Sequence, residues 1–150
     1  MLNLTLRTHK HITDLKYRYE LKDEKVKEFY IKQRGEKYYE ELLRDRPSVI
    51  KAETPIVLLG EEIAWVGFPG EFFDDFQIAL RNRSPVPHTF FLGYCNDVLS
   101  YFPTIQAASE GGYGASYSTY VEVGAGERLV DNAIISLHTI TGNLKSVPDR

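Results

Sequence analysis

The stretch from Pro55 to Phe73, PIVLLGEEIAWVGFPGEFF, decides how the rest of the chain is read. Two short apolar runs, Ile56–Leu59 and Ile63–Phe68, flank Gly60-Glu61-Glu62, which is the pattern of a β-hairpin spanning about 55–68. The second run is apolar almost throughout, so both of its faces are expected to be covered. It breaks on Pro69-Gly70, and the acid Glu71 follows at once. FFDDFQIALRNR then places Phe72, Phe76, Ile78 or Ala79, and Leu80 at helical spacing, a helix over about 71–82 closed by Ser84-Pro85. By spacing alone Glu71 is an acid in a first helical turn, where the macrodipole favours it. A loop after a buried strand is also where sites are often built, because it faces a crevice.

Upstream, LNLTLR (2–7) alternates like a half-buried strand. From about Thr13 to Arg46 the sequence is charged, with Val26, Phe29, Tyr30 and then Tyr39, Leu42, Leu43 at three- and four-residue steps. That spacing predicts one or two amphipathic helices within about 20–45, broken at Gly35 and ended by Pro47. Glu36 and Glu40 are placed to pair with Lys32 and Arg44 on a solvated face. Downstream, HTFFLGYC reads as a buried strand and DVLSYFPT as a short extended segment. Thr104 is a natural N-cap for IQAASE, which Gly111-Gly112 would end. GYGASYSTYVEVGAG is too rich in Gly and Ser for a helix and reads as loop plus strand. A last helix over about 126–141 carries Leu129, Val130, Ala133, Ile134, Leu137 and Ile140 on one face, and Gly142 ends it. The alternation of strands and helices is irregular, so the fold class is α/β or α+β with a mixed sheet.

Composition narrows the function classes. With 150 residues, 43% of them apolar, the chain suits one unit with a sizeable core. A net charge of −3 with interspersed basic residues gives no nucleic-acid-binding face. The one cysteine, Cys95, excludes an internal disulfide framework. No apolar run approaches the ~20 residues of a membrane span, and the N-terminus lacks the apolar core of a signal peptide. GxSxG, P-loop and GxGxxG signatures are missing, as are zinc-type His spacings among His9, His11, His88 and His138. Several of the ten tyrosines fall between Tyr94 and Tyr120, a density that fits a cleft or an interface. Individually Tyr101 and Tyr113 read as packed tyrosines with wet hydroxyls, and Asn96-Asp97 as a turn pair.

In order, however, the chain presents GFPGE (67–71), FLGYCN (91–96), SYFPT (100–104) and EGGYGAS (110–116), with Tyr113 twelve positions after Tyr101. Over about 54–120 this succession resembles the C-terminal part of the catalytic domain of the neutral/alkaline (non-lysosomal) ceramidases and their bacterial ceramidase-like relatives. The resemblance implies a mononuclear zinc amidohydrolase acting on a ceramide-like N-acyl bond of sphingolipid metabolism. It implies zinc held by two histidines, a glutamate matching Glu71 and a tyrosine matching Tyr101. Tyr113 would match a second active-site tyrosine that donates to the reacting amide or its oxyanion. The two histidines lie upstream in the family, in a portion this chain does not contain, and neither His9 nor His11 falls in their motifs. The whole chain is therefore expected to be a C-terminal segment of a larger catalytic domain, inactive alone. It would carry an exposed apolar face that met the missing portion, through which it could self-associate. Two other readings stand beside this one: a non-catalytic α/β interaction module on the same scaffold, and a self-contained zinc protein using His9 and His11 with Glu71. Compartment cannot be read from this chain.

Overall fold

A computed structural model describes residues 5–144. A ten-residue strand, β1 (Leu6–Leu15), leads into a helical hairpin of α1 (Glu24–Arg34) and α2 (Glu36–Asp45). The break at Gly35 occurs as expected, with φ 89°, a backbone conformation that glycine adopts without steric cost. The hairpin strands β2 (Ile50–Leu59) and β3 (Ile63–Gly67) follow, then a two-residue strand β4 (Glu71–Phe72) and α3 (Asp74–Arg83). The chain continues through β5 (His88–Leu92), β6 (Tyr101–Phe102) and α4 (Ile105–Glu110) to a π-helical turn at Tyr113–Tyr117, and closes with α5 (Ala125–Ile140). Among the described residues no helix is long and apolar enough to cross a membrane.

The mixed sheet has the order β1-β2-β3-β5, antiparallel except for the parallel β3–β5 pair, and β4 pairs with β6 in a separate parallel ribbon. The chain is thus α/β with the expected hairpin. One sheet face carries Leu15, Ala52, Ile56, Leu58, Ala64 and Val66, which pack with α3 and α5 through Phe76, Leu80, Leu129, Val130, Ala133, Ile134 and Leu137. Each large buried side chain of this kind contributes roughly 1.5–3 kcal/mol. Gly126 lies so close to Phe76 that a Cβ there would meet the ring at 2.4 Å, which lets α5 settle onto α3.

Five expectations are corrected. The first strand is longer and later than 2–7, starting at Leu6, and residues 2–4 lie outside the described part. The helix after the Pro-Gly turn starts at Asp74 rather than at 71, so Asp74 and Asp75 occupy its first turn. HTFFLGYC is not buried: β5 is an edge strand, with Phe90 50% and Leu92 42% exposed. The Tyr113–Tyr117 segment is helical after all, closed by Ser118 N–H donating to the Tyr113 carbonyl at 3.0 Å. The charged helices also pair differently, because Arg44 binds its neighbour Asp45 and no ion pair joins Glu36 or Glu40 to Lys32 or Arg44 among the described residues. The other sheet face shows Leu6, Ile12, Trp65, Phe90 and Leu92, and no described helix packs on it. Trp65 and Phe90 stack there at 6.2 Å.

Candidate functional site

Glu71 is placed by backbone rather than by a helix. Consecutive carbonyls of the turn are each tied to the loop that follows β5: Cys95 N–H donates to Phe68 O (2.8 Å), Leu99 N–H to Pro69 O (2.7 Å) and Tyr94 N–H to Gly70 O (3.0 Å). Glu71 N–H then donates to Ser100 O at 2.9 Å, and Phe73 N–H to Phe102 O at 3.2 Å. In that ribbon Glu71 and Tyr101 are register partners, so both side chains project from the same face. The loop bends sharply to make these bonds, with Tyr94, Asn96 and Ser100 all at positive φ (52°, 65° and 64°). Non-glycine residues in that region carry strain, which tends to collect at functional sites. As the turn reading implied, Asp97 accepts a backbone bond locally, from Val98 N–H at 2.7 Å.

Tyr113 joins this pair from the π-helical turn, its ring edge-to-face with Tyr101 at 5.7 Å between centroids. A glycine makes the approach possible, since a Cβ at Gly114 would lie 2.9 Å from the Tyr101 ring. The turn is held by Arg18, which donates to Ala115 O, and by Tyr19, which donates to Ser116 O. Single-turn π segments are frequent at functional sites, where they re-aim side chains. The structure therefore brings Glu71, Tyr101 and Tyr113 together, with Tyr113 itself 69% exposed.

Sequence reasoning missed one member. The Tyr94 hydroxyl donates to Glu71 Oε2, and both residues line a cleft of about 220 Å³ with Phe91, Asp74 and Gln77. That hydrogen bond, then burial and the Glu71 charge, push the Tyr94 phenol up to about 12. Tyr101 is raised for the same reasons in the same order. Both phenols thus stay protonated at neutral pH, and Tyr94 donates to the carboxylate. The linear signals for Tyr94 were its place in the tyrosine-rich stretch and within FLGYCN (91–96).

As a zinc set these groups are incomplete. A carboxylate and an ionised phenol are chemically suitable oxygen donors, but zinc takes four ligands in structural sites and three protein ligands in catalytic ones. Among the described residues no group of three or more His, Cys, Asp or Glu is gathered as a metal site. The self-contained combination of His9, His11 and Glu71 is therefore not formed. His9 and His11 sit on β1, two strands from β3, on the face shared with Thr13 and Leu15, and His138 approaches Arg83 O at 3.3 Å.

No protein-family model matches the sequence, and no curated protein matches it. Solved structures do. The chain is similar to the crystal structure of neutral ceramidase from Pseudomonas aeruginosa, at 15% identity and a TM-score of 0.61, covering 97% of this chain and 30% of that one. It is also similar to a ceramidase complexed with C2, at 19% identity and a TM-score of 0.56, covering 69% of this chain and 17% of that one. The likeness establishes a ceramidase-related fold, and the chain spans under a third of the length of either structure.

Proposed function

We propose that this chain is a segment of a zinc-dependent hydrolase cleaving an N-acyl amide bond, with Glu71 and Tyr101 as two of the metal's ligands and Tyr113 as a donor to the reacting group. The observation that carries the reading is the pairing of Glu71 with Tyr101 across the β4–β6 ribbon, with Tyr113 packed on Tyr101. The fold likeness to ceramidases supports it, as does the order of motifs that resembles that family. Zinc, when bound, supplies Lewis acidity and a water acidified toward pH ~7. The chain's own residues do the rest. Tyr94 holds the Glu71 carboxylate by one oxygen, which fixes its direction and leaves the other oxygen as a ligand atom. Tyr101, whose pKa is raised by its Glu71 neighbour, would have to lose its proton to become a ligand, which the charge of a bound metal favours. Tyr113, exposed and aimed by the π turn, can donate to a developing oxyanion. The histidines that the resemblance calls for would have to come from outside the described residues, so the chain alone is inactive in this reading.

The test is zinc titration of the 150-residue chain, followed by tyrosinate difference absorbance. Weak binding that ionises one phenol, lost in Glu71→Ala and in Tyr101→Phe, is the expected result. Zinc binding with no phenolate signal, or a signal that survives Glu71→Ala, refutes the ligand assignment. The rival reading is a non-catalytic α/β interaction module on the same scaffold, which would stay metal-free and bind a partner through its tyrosine-rich face. Absence of any zinc response refutes Glu71 and Tyr101 as ligands held by this chain, and partner capture by the metal-free chain is then the test of the module.

A further inference from the structure

His9 and His11 alternate along β1 and so project from one face, the core face that they share with Thr13 and Leu15. Because β1 ends the sheet, the pair is half-buried rather than enclosed. The helix that packs on this face is α5. Its Asn132 donates to Thr13 Oγ1 at 3.0 Å, and Arg7 donates to Ile140 O at 2.6 Å. Ser136 lies between those two anchors on the stripe that starts at Asn132, and it is buried. It therefore covers the stretch of β1 that holds the two histidines.

Neither imidazole has a hydrogen-bond or ion-pair partner among the described residues. Thr54, the register partner of His11, is fully buried on the same face, and its Oγ1 has no hydrogen-bond partner there either. A buried hydroxyl without a partner is uncommon and calls for a reason. Alternate residues of a strand stand about 6.6–6.8 Å apart, and two imidazoles leaning together can meet on a metal about 2.0–2.1 Å from each nitrogen. Once one nitrogen of His11 is metal-bound, the other carries the N–H, and an oxygen acceptor beside it fixes the ring. The Thr54 hydroxyl is the oxygen within cross-strand reach. The face also selects the ion. No acid stands on the core face of β1 or β2, so calcium and magnesium, which take carboxylates, are disfavoured. Arg7, two residues before His9, adds a positive charge, although its guanidinium is turned to Gly60 O and Ile140 O. An ion held beside it must gain more from imidazole nitrogen than it loses to that charge, which favours the late first-row divalent ions.

We propose that His9 and His11 form a two-imidazole chelate for a late first-row divalent transition ion, with water in the remaining positions and Thr54 Oγ1 accepting from the free ring N–H of His11. The site uses none of Glu71, Tyr101 and Tyr113, so it stands or falls apart from the hydrolase reading. It is tested by calorimetric titration of the 150-residue chain with nickel chloride. A single nickel ion is expected per chain, with no rise in tyrosinate absorbance and with equal affinity in Glu71→Ala and in His88→Ala. His9→Gln and His11→Gln should each weaken binding at least about tenfold, and Thr54→Val about tenfold, the scale for losing a group that orients a ligand. Calcium should not bind. Nickel affinity that both histidine substitutions leave unchanged, nickel affinity that falls in Glu71→Ala, or calcium binding overturns the proposal. Unchanged affinity in Thr54→Val overturns the role of that hydroxyl. Should a histidine variant lose its far-UV circular dichroism, proton NMR of the unsubstituted chain decides. Paramagnetic nickel should broaden the ring signals of His9 and His11 before those of His88 and His138, and the reverse order overturns the proposal.

Discussion

Gly70 is the residue on which the aim of Glu71 depends, and Gly70→Ala tests that directly. A Cβ at this position would lie 2.5 Å from Ser100 O and 2.8 Å from the Phe102 ring. Ser100 O is the acceptor of Glu71 N–H, and Phe102 is fully buried and stacked on Phe72 at 4.2 Å, so neither neighbour yields cheaply. Overpacking costs about 1–3 kcal/mol, and a weakened Glu71–Ser100 bond adds about 0.5–1.5 kcal/mol. Together they predict a loss of about 2–4 kcal/mol, which for a chain of this length lowers Tm by roughly 5–15 °C. Differential scanning calorimetry beside urea denaturation measures both. The same displacement separates the β4–β6 ribbon, so the zinc-linked tyrosinate signal should fall even at temperatures where the variant is folded. A Tm within about 2 °C of the parent would refute the reasoning, since it would mean the turn and loop part without cost.

Two further outcomes follow from the tyrosines and the sheet. Tyr30 has its pKa raised mainly by burial, so its contribution is present below the unfolded value of about 10 and is lost as pH rises through the higher folded value. Urea midpoints should therefore drop above about pH 10, and less steeply in Tyr30→Phe; identical slopes would discount Tyr30 as a source of the alkaline loss. The uncovered sheet face, with Leu6, Ile12, Phe90 and Leu92 all more than 40% exposed, should make the chain self-associate. Light scattering on a size-exclusion column should show a concentration-dependent mass that Phe90→Lys with Leu92→Lys suppresses, and a monodisperse parent would sink the idea.

Legibility in the sequence followed the length scale of the interactions. α5 was readable because its apolar face repeats over four turns and Gly142, at φ 74°, stops it. Thr104 was readable because an N-cap is a local bond, here accepted from Ala107 N–H at 3.1 Å. The β2–β3 hairpin was readable from two apolar runs about a short turn. β4 was not, because a two-residue strand has no period and its partner lies thirty positions downstream, so Glu71 was assigned to the helix that starts three residues later. β5 misled because an apolar run does not reveal that it ends a sheet. The π turn was hidden by glycines that look like breakers but permit contact, Gly114 against Tyr101 above all. Tyr94 was hidden for the same reason as β4: only the folded loop brings it to Glu71.

The displacement of Glu71 from helix to ribbon changes what its carboxylate has to be explained by. In a first turn it would interact with the macrodipole and need no other partner. In the structure Asp74 and Asp75 take that place, while Glu71 stands on a strand whose every local bond runs to a strained loop. Strain at three non-glycine positions of one loop, Tyr94, Asn96 and Ser100, is retained only where the surroundings over-determine it, and here they converge on one carboxylate and its tyrosines. That carboxylate accepts from Tyr94, is the register partner of Tyr101 and is partly exposed, beside Tyr94 and Tyr113, which are open to solvent. Structural carboxylates are ordinarily neutralised by a cation, yet no Lys or Arg pairs with Glu71 among the described residues. Phenol donors orient an anion without cancelling its charge, so the cluster remains able to attract a cation arriving from that open side.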